Sequence, residues 1–371
     1  MTNQVVLASQ REQQRLRFNM FYVGLLLIMS TVLFLFGSSA FLALSCGQWF
    51  YFGCSLALLT YSLWAMGSSF VSIPLVMHLN SRYADKKYGE IDVAHSKALR
   101  LVLQLPCRKS TDVPVLMSNL ALMRLCQGNY ESAEELFREA VEYIGKDKRL
   151  NSTFAAAILI NNLGCACYRR GNLAEAEICA DRAISIFELS KNKSWRIGLS
   201  LPHLLKGVIH AKFGEYDTAE QNLRDAHKVF NTERMPAGSV ETSFQQSKNQ
   251  LLLWMSYVLL KREKRDEAEL MCDQAVKLMA SDTTGANTLT LEALLLLGNE
   301  FMNLRDFARA EQLLEIAYSI GAESPYHPDA KQTLSYFEKL LLLTDREAEV
   351  ADMRNWLRHV DHNLLLANKS S

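Results

Sequence analysis

Six quartets of residues at relative positions 0, +3, +7 and +10 recur along this chain. They are Tyr88-Ile91-His95-Ala98, Tyr130-Ala133-Phe137-Ala140, Leu173-Ala176-Ala180-Ala183, Tyr216-Ala219-Leu223-Ala226, Arg265-Ala268-Cys272-Ala275 and Phe307-Ala310-Leu314-Ala317. Such spacings fall on one face of a helix, and alanine there lets a neighbouring helix come close. Twelve residues before the first alanine of the last five quartets stands a small residue: Ala121, Gly164, Gly207, Ser256 and Gly298. Each lies in its own apolar helical segment. Between the two segments come Gly128-Asn129, Gly171-Asn172 and Gly214-Glu215, which are helix-stop chemistry. The unit is helix–turn–helix with a small residue at each close crossing.

This pattern resembles the tetratricopeptide repeat, from about Leu79 to the C-terminus. Gly128-Asn129-Tyr130-Glu131-Ser132-Ala133-Glu134 and Gly214-Glu215-Tyr216-Asp217-Thr218-Ala219-Glu220 carry the likeness most closely. Successive final alanines are 42, 43, 43, 49 and 42 residues apart, longer than the usual ~34. That period is similar to the kinesin light chain subclass, as are Asn161-Asn162-Leu163-Gly164 and His327-Pro328-Asp329-Ala330. The resemblance implies an all-α solenoid of about six repeats. Leu334–Leu343 reads as a degenerate unit and Arg346–Leu357 as a capping helix. The 49-residue step is assigned to a long loop over Asn231–Asn249.

From Phe18 to Met77 no residue is charged. A span needs roughly 20 apolar residues, so this run accommodates two. Residues 1–19 then form a short tail, 20–77 a transmembrane helical hairpin and 78–371 the solenoid. The hairpin turns near Ser45-Cys46-Gly47-Gln48. Arg11, Arg15 and Arg17 precede it and Arg82, Lys86 and Lys87 follow it, so the positive-inside rule places both termini and the repeats in the cytoplasm. Gly53-x-x-x-Ala57 suits close packing against the first span or against a second copy, which leaves a homo-oligomer open.

Beyond residue 77 the chain carries 40−3 = 37 basic and 40−1 = 39 acidic side chains. Tracking a phosphate backbone requires a basic excess, so nucleic acid is not an expected partner. The eight cysteines have no framework spacing and read as buried thiols. No phosphate-cradling loop, nucleophile elbow or paired metal-ligand motif occurs, and neither an enzyme nor a cofactor is expected.

In the resembled family the first helix of each unit lines a concave groove that receives partner segments. Repeat phase puts Asn119, Asn162, Tyr168, Arg169, Lys212, Tyr257, Lys261, Asn299 and Asn303 on that face. Arg169, Lys212 and Lys261 occupy equivalent positions and form a cationic stripe suited to an acidic peptide segment. Ser118, Asn161 and Leu204 stand where the family's carboxylate clamp would start with lysine, which disfavours that mode. The function expected is a membrane-anchored scaffold or adaptor that gathers partner proteins. The alternative is an accessory subunit of a transport or secretion complex acting through its hairpin.

Overall fold

The structure is a computed structural model. It describes residues 96–100, 112–146, 153–190, 192–233, 239–281, 288–323 and 328–350, together with 93, 103 and 151. The two expected spans lie outside the described residues, as do most of the first quartet and the end of the capping helix. Among the described residues, no helix is long and apolar enough to cross a membrane. All the helix pairs below belong to one compact unit, which takes in 76–102 and 110–371.

Among the described residues, eleven α-helices and one 3-10 turn are delimited from end to end, and no strand occurs. The helices are α1 (Asp112–Cys126), α2 (Tyr130–Gly145), α3 (Phe154–Arg169), α4 (Leu173–Leu189), α5 (Ser200–Lys212), α6 (Tyr216–Thr232), α7 (Ser239–Lys261), α8 (Arg265–Ser281), α9 (Thr288–Asn303), α10 (Phe307–Glu323) and α11 (Pro328–Leu343). Each odd-numbered helix up to α9 packs on the even one after it, and α10 packs on α11. The odd helices also meet in succession, forming a continuous inner row from α1 to α11.

The phased small residues make this stacking possible. Ala133, Phe137, Ala140, Ala176, Ala180, Ala183, Ala219, Leu223, Ala226, Ala310, Leu314 and Ala317 are all 0% exposed. At the crossings there is no room for more. A Cβ on Gly207 would lie 2.6 Å from Leu223 Cγ and 3.3 Å from the Ala219 carbonyl. Where serine replaces glycine, Ser256 Oγ donates to the Ala268 carbonyl at 2.8 Å, so its hydroxyl is satisfied in a fully buried place.

Each turn needs one residue in the left-handed region. Gly128, Gly171 and Gly214 supply it at φ 79°, 85° and 77°. In the later units Glu263, Arg305 and Asp345 hold the same place at φ 60°, 60° and 57°. A side chain there costs about 1 kcal/mol. Arg305→Gly is therefore expected to raise stability by about 1 kcal/mol in chemical denaturation; a lowered midpoint would show that the Arg305 side chain does more than occupy the turn.

Ion pairs tie consecutive pairs together. Glu134 on α2 accepts from Arg138 at 2.7 Å and from Arg170 at 3.2 Å, while Arg138 reaches on to Glu175 of α4. The same ladder recurs two units later, where Glu220 accepts from Arg224, Arg262 and Lys264, and Arg224 reaches Glu267 at 2.8 Å. Both glutamates are buried, at 3% and 5% exposure, not on a surface face as their sequence context suggests. Burial alone would push the Glu220 carboxyl up; the bonds from Lys264, Arg224 and Arg262 override this and hold it at about 2, below its ordinary 4.5. A depressed carboxylate stabilises fully above its ordinary value and loses that contribution as pH falls through the folded one. Stability should accordingly drop between pH 4.5 and about 2, and circular dichroism should show Glu220→Gln losing less over that window.

One expectation is corrected here. The long loop over 231–249 is largely helix: α6 runs through Thr232 and α7 already starts at Ser239. The Ser- and Gln-rich stretch reads as a loop, but Phe244 is buried and meets Phe230 edge-on at 6.4 Å, with Asn249 and Gln250 buried behind it. Tertiary packing overrides a weak local preference.

Candidate functional site

The inner row carries a cleft of about 390 Å3, lined by charged, aromatic and leucine side chains, where α3, α5, α9 and α11 converge. Its floor is set by the end of α3, a helix started by Thr153, whose Oγ1 accepts from the Ala156 amide at 3.2 Å. Sixteen residues of helix then bring Tyr168 and Arg169 to the inner face.

Arg169 is the hub. Its Nη1 donates to Glu292 at 3.0 Å and its Nη2 to Asp329 at 2.7 Å, from helices 123 and 160 residues further along. Nη2 also donates to the Tyr130 hydroxyl, and the guanidinium lies 4.8 Å from the Tyr130 ring centre. Glu292 accepts further bonds from the Tyr168 hydroxyl at 3.1 Å and from Lys212 at 3.0 Å. The side chains of Arg169, Glu292 and Asp329 are 8%, 14% and 13% exposed, so this knot is largely out of water. Burial alone would lower the Arg169 guanidinium; Asp329 and Glu292 override it and hold the group above its ordinary value. Burial, followed by the Glu292 charge, pushes the Tyr168 hydroxyl up, so it stays a donor.

The sequence-assigned groove residues divide. Tyr168, Arg169 and Lys212 meet in the cleft with Gln332 and Tyr336 of α11. Tyr257 and Lys261 form a second cluster: Tyr257 packs edge-on against Tyr216 at 6.5 Å and Trp254 at 5.9 Å, and Lys261 pairs with Glu300 at 2.5 Å. Asn299 accepts from Lys339 of α11 at 3.0 Å. Asn119 and Asn162 are half-buried on the inner row, and Asn303 is exposed at the end of α9.

The cationic stripe exists as a row of positions but not as a row of free charges. Arg169, Lys212 and Lys261 each already hold a carboxylate of this chain. Of the three, Lys212 is the accessible one, with its side chain 53% exposed. Glu292 and Asp329 escaped the sequence reading because they lie three and four units away from their partners. One signal was present. Six residues before each small crossing residue stand Val115, Ile158, Leu201, Gln250 and Glu292, and the last is the only carboxylate.

His203 and His210 both lie on α5. His210 sits between Glu215 at 2.8 Å and Glu177 at 3.5 Å. Burial lowers His203, with Asp225 and Glu188 pulling the other way.

Comparison with known proteins finds one family match and several solved structures of low identity. The tetratricopeptide repeat family matches residues 112–189, which cover α1 to α4. No curated protein matches the chain in sequence. Among solved structures, the chain is similar to BtubC from P. vanneervenii at 14% identity, over 68% of this chain and 91% of that one, with a TM-score of 0.45. It is similar to Pseudomonas aeruginosa pilF at 14% identity, over 72% and 99%, with a TM-score of 0.41. It is also similar to a signal transduction ATPase with a tetratricopeptide repeat sensor from Pyrococcus horikoshii at 14% identity, over 80% of this chain and 41% of that one, with a TM-score of 0.48. The family match and the stacked helix pairs together describe an all-α, tetratricopeptide-like solenoid.

Proposed function

We propose that this chain is a membrane-anchored scaffold that holds partner proteins against the inner row of its solenoid. The observation that carries the reading is the cleft itself: an opening of mixed lining on the face where first helices converge, with an accessible lysine, an aromatic ring and a glutamine at its rim. Repeat arrays of this kind supply binding surface rather than chemistry. The titratable groups of the cleft are engaged with one another, so no catalytic role is assigned. The anchor rests on the uncharged run over 18–77, which is long enough for two spans.

A partner segment entering the cleft meets Lys212 first. An acidic side chain there would share or replace Glu292 as its ligand, while Tyr336 and Gln332 offer stacking and amide contacts. The test is co-purification from membranes with the full chain, read by quantitative mass spectrometry. Lys212→Glu combined with Tyr336→Ala should deplete the specific partners. Ile178→Glu, an exposed position on α4, should leave them in place. The same partner set in all three samples would end the reading.

Orientation has its own test. Asn151 and Asn192 lie in Asn-x-Ser/Thr triplets and both are exposed. With the solenoid in the cytoplasm they stay bare in a eukaryotic host, whereas glycan on either would place it across the membrane.

A further inference from the structure

We propose that Glu134, Cys167, Glu175 and Cys179 bind one zinc-class divalent ion, which staples the α1–α2 pair to the α3–α4 pair. The donor atoms of Glu134, Cys167 and Glu175 all lie within 4.8 Å of one another. Cys179 stands one turn beyond Glu175 on α4, near enough to Cys167 for the two thiols to shift one another. Glu175 and Cys179 are four residues apart on α4, so both project from one face toward α3. The crossing there is close: a Cβ on Gly164 would stand 3.1 Å from Cys179 Cβ.

The carboxylates alone do not mark a site. Glu134 and Glu175 are rungs of the inter-unit ladder, and Glu220 and Glu267 fill the same positions further on. In that second copy, however, the places of Cys167 and Cys179 are taken by Leu259 and Met271. Two thiols are what this copy adds. Together the four side chains offer two sulfur and two oxygen donors, a set suited to a tetrahedral ion with affinity for thiolate and unsuited to magnesium or calcium.

Closing the site needs modest movement. Metal–sulfur and metal–oxygen bonds of about 2.3 and 2.0–2.2 Å require the donors of Glu134, Cys167 and Glu175, now within 4.8 Å of one another, to draw in by roughly 1 Å, with the Cys179 side chain turning to meet the ion. Glu175, with 36% of its side chain exposed, supplies both the freedom and the entry path. Arg138 now bridges Glu134 and Glu175 and is 45% exposed, so it can retreat to their outer oxygens. With Arg170 on Glu134 and Arg182 near Cys179, it would offset the negative charge of the four donors.

Binding expels both thiol protons to solvent, forms two metal–sulfur bonds and changes no oxidation state. Affinity should rise with pH; the charged groups facing the thiols are Glu134, Glu175, Arg138 and Arg182.

The experiment uses the full chain in detergent, reduced, stripped with chelator and titrated with cobalt(II). The expected result is one cobalt per chain with a near-ultraviolet thiolate-to-cobalt band, bleached by an equivalent of zinc. Cys167→Ser combined with Cys179→Ser should abolish the band while helical circular dichroism persists. Should that variant not fold, Glu175→Gln at its half-exposed position should weaken cobalt by at least about tenfold. No thiolate band in the parent chain overturns the proposal. So does a band that survives loss of both cysteines, or unchanged affinity in Glu175→Gln.

Discussion

Arg169→Ala is expected to lower the stability of the array by about 3 kcal/mol, because it removes the cation from a buried ion-paired network. Two carboxylates depend on that guanidinium, and both are largely shielded from water. Glu292 keeps Tyr168 and Lys212, while Asp329 loses its ion pair with Arg169. Arg169→Lys should recover only part of the loss. A single ammonium cannot serve Glu292, Asp329 and the Tyr130 hydroxyl from one plane, nor cover the Tyr130 ring as a guanidinium does. Denaturant melts followed by far-ultraviolet circular dichroism measure both. A loss under about 0.5 kcal/mol in Arg169→Ala would class the knot with exposed pairs of little worth.

Gly207→Val should cost about 3 kcal/mol, at the upper end of what overpacking does. Valine's Cβ would fall 2.6 Å from Leu223, a side chain that is 0% exposed and has nowhere to go, and 3.3 Å from backbone at Ala219. The helices would have to part, and every later pair would be displaced with α6. A graded series checks the cause. Gly298→Ala should cost less, since its Cβ would approach only the side chain of Leu314, at 3.0 Å. Gly145→Ala meets nothing within 4 Å and should be neutral or stabilising, as alanine is the better helix former. Equal effects at all three positions would mean that crossing distance is not what selects glycine.

What the sequence could and could not tell divides along range. The crossings were legible because each is a contact between residues about 12 apart, such as Gly164 against Ala176 and Ser256 against Ala268. The first three turns were legible because glycine marks the left-handed residue. The later ones were not, since Glu263, Arg305 and Asp345 adopt that conformation without the signal. The start of α7 was missed because serine and glutamine say loop, while the decisive contact is Phe244 against Phe230. Phase puts Tyr168, Arg169 and Lys212 on one face, and in the structure they line one cleft. It could not show that Glu292 and Asp329 already hold them, because nothing local links residues 123 and 160 apart. Cys167 reads as a buried thiol for the same reason: its neighbourhood with Glu134 and Glu175 is made by three different helices.

That cross-row contact is also what a double-mutant cycle can isolate. Arg169→Ala, Glu292→Gln and the double variant, made in the full chain, sample two residues that meet only if units stack in series and curve so that α3 faces α9. Coupling of about 1–3 kcal/mol in their unfolding free energies is the result expected of neighbours in one buried network. Additivity within about 0.5 kcal/mol would mean that the two side chains do not touch, and the inner row described above would not be the one the protein adopts.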